Sequence, residues 1–431
     1  MLDASSYRPI SLCSCVGKLL ERIVKDQLVV HISDNKPLSK AQHGFVGGLS
    51  TVTNLLSCDA IIAEYENNGL AYDILAFDFK KAFDKVPHDR LLSSLAVYSL
   101  GGSALNWLRS FLRGRTQRVR VNGDISAPVA VTSGLVQGSV LGPVFFTILI
   151  DNLLKAIKLP VFAYADDIKI VAKVTDATDS AKVQDAVTIL ERWSRDNRMP
   201  LSLEKCSVLH RGRNNPCHVY SLCGQPMMPG EVFVDLGITR SNDCAYSQHI
   251  TSVITRGRRA AGAILHAFSS RDCDILWPAF VAYVKPIVMY GSCVWNPPWI
   301  GQIQQLEKIQ RRFTKKLNGL HNLTYVDRLE YLNSLTLSAE RTKADLVMVY
   351  KCIHRKNNVC LEDLGLSFSN NNERSGCPRL QRFGAKTKKI SSLFKYRAAA
   401  EWNLLPDFTR HQSSLTAFKR AITSYLRAFC C

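Results

Sequence analysis

The chain is 431 residues long, 48.2 kDa and 46% hydrophobic, enough for about two to four domains with real cores, which excludes wholesale disorder. It carries 55 Lys and Arg against 36 Asp and Glu, a net charge of +19 that suits a polyanion partner. The longest apolar run, Val140 to Ile150, is broken by Gly142 and Pro143 and falls short of the ~18 residues of a membrane span, and Met1 to Ser6 lacks the basic and apolar regions of a secretory leader.

In chain order, residues 16–32 predict an amphipathic helix, with Leu19, Leu20, Ile23, Val24 and Leu28 at helical spacing. Gly44, Gly47 and Gly48 predict a flexible loop, and a helix resumes over 51–63. The run YDILAFDF (72–79) has the length and composition of a buried strand. Pro87 starts a helix expected to reach Leu100, stopped by Gly101 and Gly102. Residues 117–131 predict a hairpin turning at Asn122-Gly123, and 161–173 a second hairpin whose apolar strands meet at Ala165-Asp166. A helix over 144–154 precedes that hairpin, another near 179–196 follows it, and short strands are expected near 205–210 and 232–238. Hairpins dominate this mixture, so the expected fold class is α+β with an antiparallel sheet.

Beyond about residue 245 the pattern turns helical, and the charge divides with it. Residues 1–250 hold 27 basic and 24 acidic side chains, a net +3; residues 251–431 hold 28 and 12, a net +16. The clearest helix is 302–318, with Gly319 expected as its C-cap. Ile303, Leu306, Ile309, Phe313 and Leu317 form its apolar stripe, and Lys308, Arg311, Arg312, Lys315 and Lys316 the opposite one. Five like charges on one face repel unless an anion lies against them, so this face is a candidate phosphate contact. The fourteen cysteines are irregularly spaced with no CxxC. Cys217 and Cys223 with His210 and His218 make a weak metal candidate beside the simpler reading of free thiols, which suits an intracellular protein.

Three carboxylates stand against the hydrophobic gradient. Asp78 ends an apolar strand, and Asp166-Asp167 occupies a hairpin tip between apolar strands, positions where a charge needs compensation. Mg²⁺ supplies it, being held by one or two carboxylates plus phosphates and water. Two such ions about 3.5–4 Å apart stabilise the attacking and leaving oxygens of phosphoryl transfer. Between these acids lies a glycine-rich loop, Ser133 to Pro143, in which Gln137 offers both donors and an acceptor and Gly138 permits close approach of the backbone to a ligand.

FDFKKAFDKVPH (77–88), QGSVLGP (137–143) and YADD (164–167), in that order, closely resemble palm motifs A, B and C of reverse transcriptases from non-LTR (LINE-type) retrotransposons. YRPISL (7–12), QHGF with ST (42–51), LSLEKC (201–206) and DLGI (235–238) resemble flanking blocks of that family. VKPIVMYGSCVW (284–295), IQRRFTKKLNGL (309–320) and FKRAITSYL (418–426) resemble its jockey-like and chicken-repeat-like branch. The resemblance implies a right-hand polymerase: partial fingers and palm over 1–240, a helical thumb over 241–320 and a basic helical region over 321–431. It implies that Asp78, Asp166 and Asp167 bind two Mg²⁺ ions, with the Phe79 carbonyl a further ligand. Phe83 is implied as the steric gate against a ribose 2′-OH, Gln137 and Gly138 as nucleotide-pocket residues, and Lys205 as the acid for departing pyrophosphate. Asp235 to Ile238 is implied to grip the primer end, and Asp84 matches the pattern as a structural residue.

The implied partners are an RNA template, a DNA primer and dNTPs, with no membrane, in nucleus and cytoplasm. Three positions depart from the family pattern: Leu49 replaces an arginine expected to contact the triphosphate, Val136 replaces a proline, and Ser202 replaces an asparagine. Met1 precedes Tyr7 by six residues, which predicts an N-terminally truncated copy without the first fingers strands or an endonuclease. Two alternatives remain: an inactive remnant that only binds nucleic acid, and a two-metal nuclease, which explains neither Phe83 nor the QGSVLGP loop.

Overall fold

The computed structural model describes residues 11–241, 246–369 and 378–428. The chain divides into two compact units, Met1–Val46 with Tyr72–Pro229, and Gly47–Ala71 with Gly230–Cys431. Tyr7 to Ile10 of the YRPISL block lie outside the described residues.

The first unit is built on the apolar run of residues 72–77. Strand β1 (Tyr72–Phe77) is buried along almost its whole length because it takes the centre of a five-stranded sheet. The sheet is completed by β2 (Val161–Tyr164), β3 (Asp167–Lys173), β4 (Ser207–Arg211) and β5 (Met228–Pro229), in the order β5-β4-β1-β3-β2. Every pairing is antiparallel except β5 with β4. The α+β expectation therefore holds. Helices Gly142–Ala156 and Ala177–Asp196 share one hydrophobic core with the sheet, through residues such as Phe145, Ile148, Leu149, Val183 and Leu190. The expected hairpin at Asn122-Gly123 forms, with Val121 paired to Asp124 and both turn residues at positive φ, though its strands are only two residues long and exposed.

Three local expectations change. The helix after Pro87 ends at Val97, and Gly102, expected as a stop, instead starts a separate helix, Gly102–Leu112. The 16–32 helix is present as Cys15–Asn35, but Leu19, Leu20 and Ile23 are exposed whereas Glu21 is buried. The reason is electrostatic rather than apolar: Glu21 Oε2 accepts from the N–H groups of Val140 (2.6 Å) and Leu141 (3.1 Å), where helix Gly142–Ala156 begins and its dipole favours an anion. Finally, the loop expected to be flexible at Gly44 is buried and packed against backbone.

The second unit is mostly helical among its described residues, and its core draws on the whole span from Ile250 to Ile422 together with Leu55 and Leu56 of helix Thr51–Asn68. A short hairpin, β6 (Val232–Asp235) with β7 (Ile238–Ser241), belongs to this unit. Its buried Arg240 donates to Asp235 and Asp59, both at 2.6 Å. Helix Ile300–Thr314 carries the expected stripes, but it ends four residues before Asn318. Lys316 N–H donates to the Phe313 carbonyl and Leu317 N–H to that of Thr314, tight turns that bring Leu317 and Leu320 into the core.

His249 gives this unit a pH dependence. The ring is 2% exposed, its Nδ1 accepts the Thr239 N–H, and burial pushes its pKa down to about 4, with Arg256 assisting. A depressed histidine is neutral in the fold while the unfolded chain already binds a proton, so stability falls as pH drops from about 6.5 towards 4. Lowering the pH from about 7 to about 5 should remove roughly 2 kcal/mol through this group. Urea unfolding of the parent and of His249→Gln should differ by that amount in pH sensitivity.

Candidate active site

β1 carries a carboxylate near each end, and the two are treated differently. Asp73 is fully buried and accepts from Tyr220 Oη (2.6 Å), Asn215 Nδ2 (2.7 Å) and His210 Nδ1 (2.8 Å). Asp78, one residue past the strand, has a side-chain oxygen, Oδ2, that is shielded from solvent and is ion-paired with Lys205. Phe77 pairs with Ile168 at the end of the β1–β3 ladder, so Asp78 and Asp167 are the next residues along the backbone at that end. Asp166 and Ala165 form the two-residue turn between β2 and β3, closed by Tyr164 and Asp167. All three acids thus lie near the same end of β1 and β3.

The backbone just past Asp78 is held by the segment containing Lys205. Ser202 N–H donates to the Asp78 carbonyl (2.8 Å), Lys80 N–H donates to the Pro200 carbonyl (2.8 Å), and Phe79 bridges Leu201. The one-turn 3₁₀ helix Leu203–Lys205 follows, and Lys205 Nζ reaches 3.0 Å from Asp78 Oδ2. Phe79 itself is buried, its ring edge-on to Trp193 at 5.7 Å. This pairing supplies the compensation that the strand-end charge demands.

Phe83 and the 133–143 loop lie beside the acids in sequence and are tied together in space. The Phe83 ring stacks on Phe146 at 4.8 Å and meets Phe45 edge-on at 6.0 Å, so its position is fixed by packing. The Phe83 carbonyl accepts from Leu135 N–H (2.8 Å), and Gln137 Nε2 donates to Asp84 Oδ1 (2.9 Å). Asp84 therefore orients the Gln137 amide. Gly138 sits at φ +107°, and a Cβ there would stand 3.0 Å from the Ser11 carbonyl, so the loop requires glycine at this point.

Residues 3–246 match the family described as "Reverse transcriptase (RNA-dependent DNA polymerase)". The chain belongs to the reverse transcriptase family. It is 25% identical over 335 residues to the RNA-directed DNA polymerase from mobile element jockey of Drosophila melanogaster, covering 74% of this chain and 36% of that protein. It is 26% identical over 329 residues to the probable RNA-directed DNA polymerase from transposon BS of the same organism, covering 71% and 35%. The chain thus spans about a third of the length of these curated relatives. Among solved structures it resembles a telomerase from Candida albicans in complex with a fragment of telomeric RNA. There the TM-score is 0.40 and the identity 12%, over 74% of this chain and 58% of that one, a likeness too distant to carry weight.

Reverse transcriptases act on nucleic acid and nucleotides and generally use a divalent metal ion. The residues present fit such an ion: carboxylate oxygens are the donors a hard cation takes, and the shielded Asp78 Oδ2 is balanced by the largely exposed Lys205 ammonium, a cation that a metal ion can replace. Among the described residues no three Asp, Glu, His or Cys side chains converge on one point. Mg²⁺ needs no such cage, because phosphate oxygens and water complete its shell. No helix among the described residues is long and apolar enough to cross a membrane.

Every predicted palm residue of this reverse transcriptase chain (Asp78, Phe79, Phe83, Gln137, Gly138, Asp166, Asp167 and Lys205) falls in the first unit. The basic stripe falls in the second. There Lys308, Arg311, Arg312, Lys315 and Lys316 are all exposed, the last two just past the helix end. Arg311 also lies over the Tyr325 ring at 4.7 Å, which fixes its guanidinium. Sequence reasoning missed Glu21 and named Gln42 only as part of the QHGF block, without a role; both are buried polar residues that grip the backbone of the QGSVLGP and YADD segments. A buried-looking helix face broken by one acid was the only available signal for the first.

Proposed function

We propose that this chain is the RNA-directed DNA polymerase of a non-LTR retrotransposon, joining a dNTP to a primer 3′-OH on an RNA template. The observation that supports this reading is the β1–β3 ladder, which ends at Phe77 and Ile168 and so brings Asp78 and Asp167 to the same strand ends, with Asp166 in the adjoining turn. Two Mg²⁺ ions held there would activate the 3′-OH and neutralise charge on the triphosphate. Asp78, Asp166 and Asp167 hold these ions, with the Phe79 carbonyl assisting. The Gln137 amide, oriented by Asp84, and the Gly138 backbone position the nucleotide. Lys205 shifts from Asp78 Oδ2 to the departing pyrophosphate and delivers its Nζ proton there. Phe83, wedged by Phe146, excludes a 2′-OH.

In this reading residues 1–240 provide partial fingers and palm, 241–320 the thumb, and 321–431 a basic accessory region. The Asp235 to Ile238 hairpin end grips the primer, and the stripe from Lys308 to Lys316 contacts phosphates of template and primer. The working compartments are nucleus and cytoplasm.

The test is primer extension on an RNA template with Mg²⁺ and dNTPs. Extension supports the polymerase; binding of the template–primer without extension favours a nucleic-acid-binding remnant. The remnant has one observation in its favour: Leu49, at the place of the family's triphosphate arginine, packs against the core of the second unit and offers no cation. If extension occurs, Phe83→Ala should raise the ratio of ribonucleotide to deoxynucleotide kcat/KM by about ten- to a hundred-fold.

A further inference from the structure

The YADD turn is held in a conformation its own residues disfavour. Ala165 sits at φ +58°, in the left-handed region where a Cβ collides with the backbone, and a two-residue hairpin loop normally places glycine there. Such a residue persists only where its surroundings over-determine it. The segment 41–44 does so. Ala163 N–H donates to the Ala41 carbonyl and His43 N–H to that of Ala163, both at 2.8 Å, so Gln42 runs parallel beside β2.

From that position Gln42, 2% exposed, uses both ends of its amide on one residue. Its Oε1 accepts the Ala165 N–H (3.0 Å) and its Nε2 donates to the Ala165 carbonyl (3.2 Å). Oε1 also accepts the Gly44 N–H (2.7 Å), which fixes the orientation of the amide, since a flipped group would face two N–H donors with a third. Gly44 completes the fit. A Cβ there would stand 2.3 Å from the Ala165 nitrogen, so only glycine lets the two backbones come this close.

We propose that Gln42 is a positioning residue: with Gly44 it braces the strained Ala165 turn and thereby aims Asp166 and Asp167 before a metal ion arrives. The two peptide planes that Gln42 fixes flank Ala165, and the second of them leads directly into Asp166. Carboxylates that bind catalytic ions act within tolerances of about half an ångström, so a loosened turn misplaces both. The brace touches no substrate; its effect on turnover rests on the polymerase reading above.

Two variants separate this role from general stability. Gln42→Leu removes both hydrogen bonds, and Gln42→Glu keeps the acceptor while setting a carboxylate oxygen against the Ala165 carbonyl. Both should lower kcat for primer extension by about ten- to a hundred-fold, with KM for dNTP changed by less than about threefold. Both should also raise the Mg²⁺ concentration needed for half-maximal rate. Ala165→Gly added to Gln42→Leu should recover much of the loss, because glycine adopts the turn without a brace. Hydrogen exchange at the Ala165 amide provides a readout that needs no activity, slow in the parent and fast in Gln42→Leu. Unchanged exchange, or loss of activity that tracks global unfolding and is not recovered by glycine, overturns the proposal. If the parent chain extends no primer, the polymerase reading fails while the exchange measurement still decides the brace.

Discussion

Asp166→Ala and Asp78→Asn should each reduce template-directed extension on the order of 10³-fold or more while leaving template–primer affinity nearly unchanged. A thousandfold loss is about 4 kcal/mol of transition-state stabilisation, the scale expected when a ligand to a charge-neutralising ion is lost. The fold should survive both changes. Asp78 sits beyond the end of its strand and Asp166 in a partly open turn, so neither removes a core contact. Asp78→Asn also releases Lys205, whose side chain is 64% exposed, and a pair so open to solvent contributes little to stability. Filter binding and extension measured on the same preparations test the split. Equal losses in both would show that these acids support the fold rather than the chemistry.

The largest stability effect is expected at Arg240. Its guanidinium, 5% exposed, holds Asp235 of the hairpin and Asp59 of helix Thr51–Asn68, and Tyr246 Oη donates to the second oxygen of Asp59 at 2.7 Å. Arg240→Leu leaves two buried carboxylates without a countercharge, a situation that costs about 3–5 kcal/mol. Replacing Asp59, Asp235 and Arg240 together with apolar residues should recover most of that, because the penalty lies in the uncompensated charge and not in the absent pair. Hydrogen exchange in helix Thr51–Asn68 should rise steeply in the single variant and return towards the parent in the triple one. A single variant as protected as the parent would mean that water reaches the two acids.

The elements that depend on short-range pattern were legible. The apolar run at 72–77 and the two runs flanking Ala165-Asp166 became three adjacent strands of the sheet because length and apolar composition specify them locally. The three acids were legible for a related reason: charge at the tip of an apolar strand is conspicuous in one dimension. What escaped was whatever depends on a distant partner. Glu21 lies 119 residues from Val140 and Gln42 123 residues from Ala165, and no periodicity in either segment reports those contacts. Gly44 illustrates the ambiguity most directly. A glycine near other glycines suggests freedom, whereas here it marks the tightest backbone approach near the site. The helix end at Thr314 was missed because the stripe continues past it, carried by turns that keep Leu317 on the buried side.

Helix Thr51–Asn68 belongs to the second unit although it precedes most of the first in the chain, and this has a consequence for synthesis. Asp59 is made 181 residues before Arg240. At typical elongation rates the ribosome takes roughly 10–40 s to cover that distance. During that interval the strands of the first unit can pair, but the helix has neither its countercharge nor the core that covers Leu55 and Leu56. Its apolar side is then a natural ligand for a chaperone. A chain arrested after Pro229 has emerged but before Arg240 has would carry its first sheet formed while this helix stays uncovered and open to proteases.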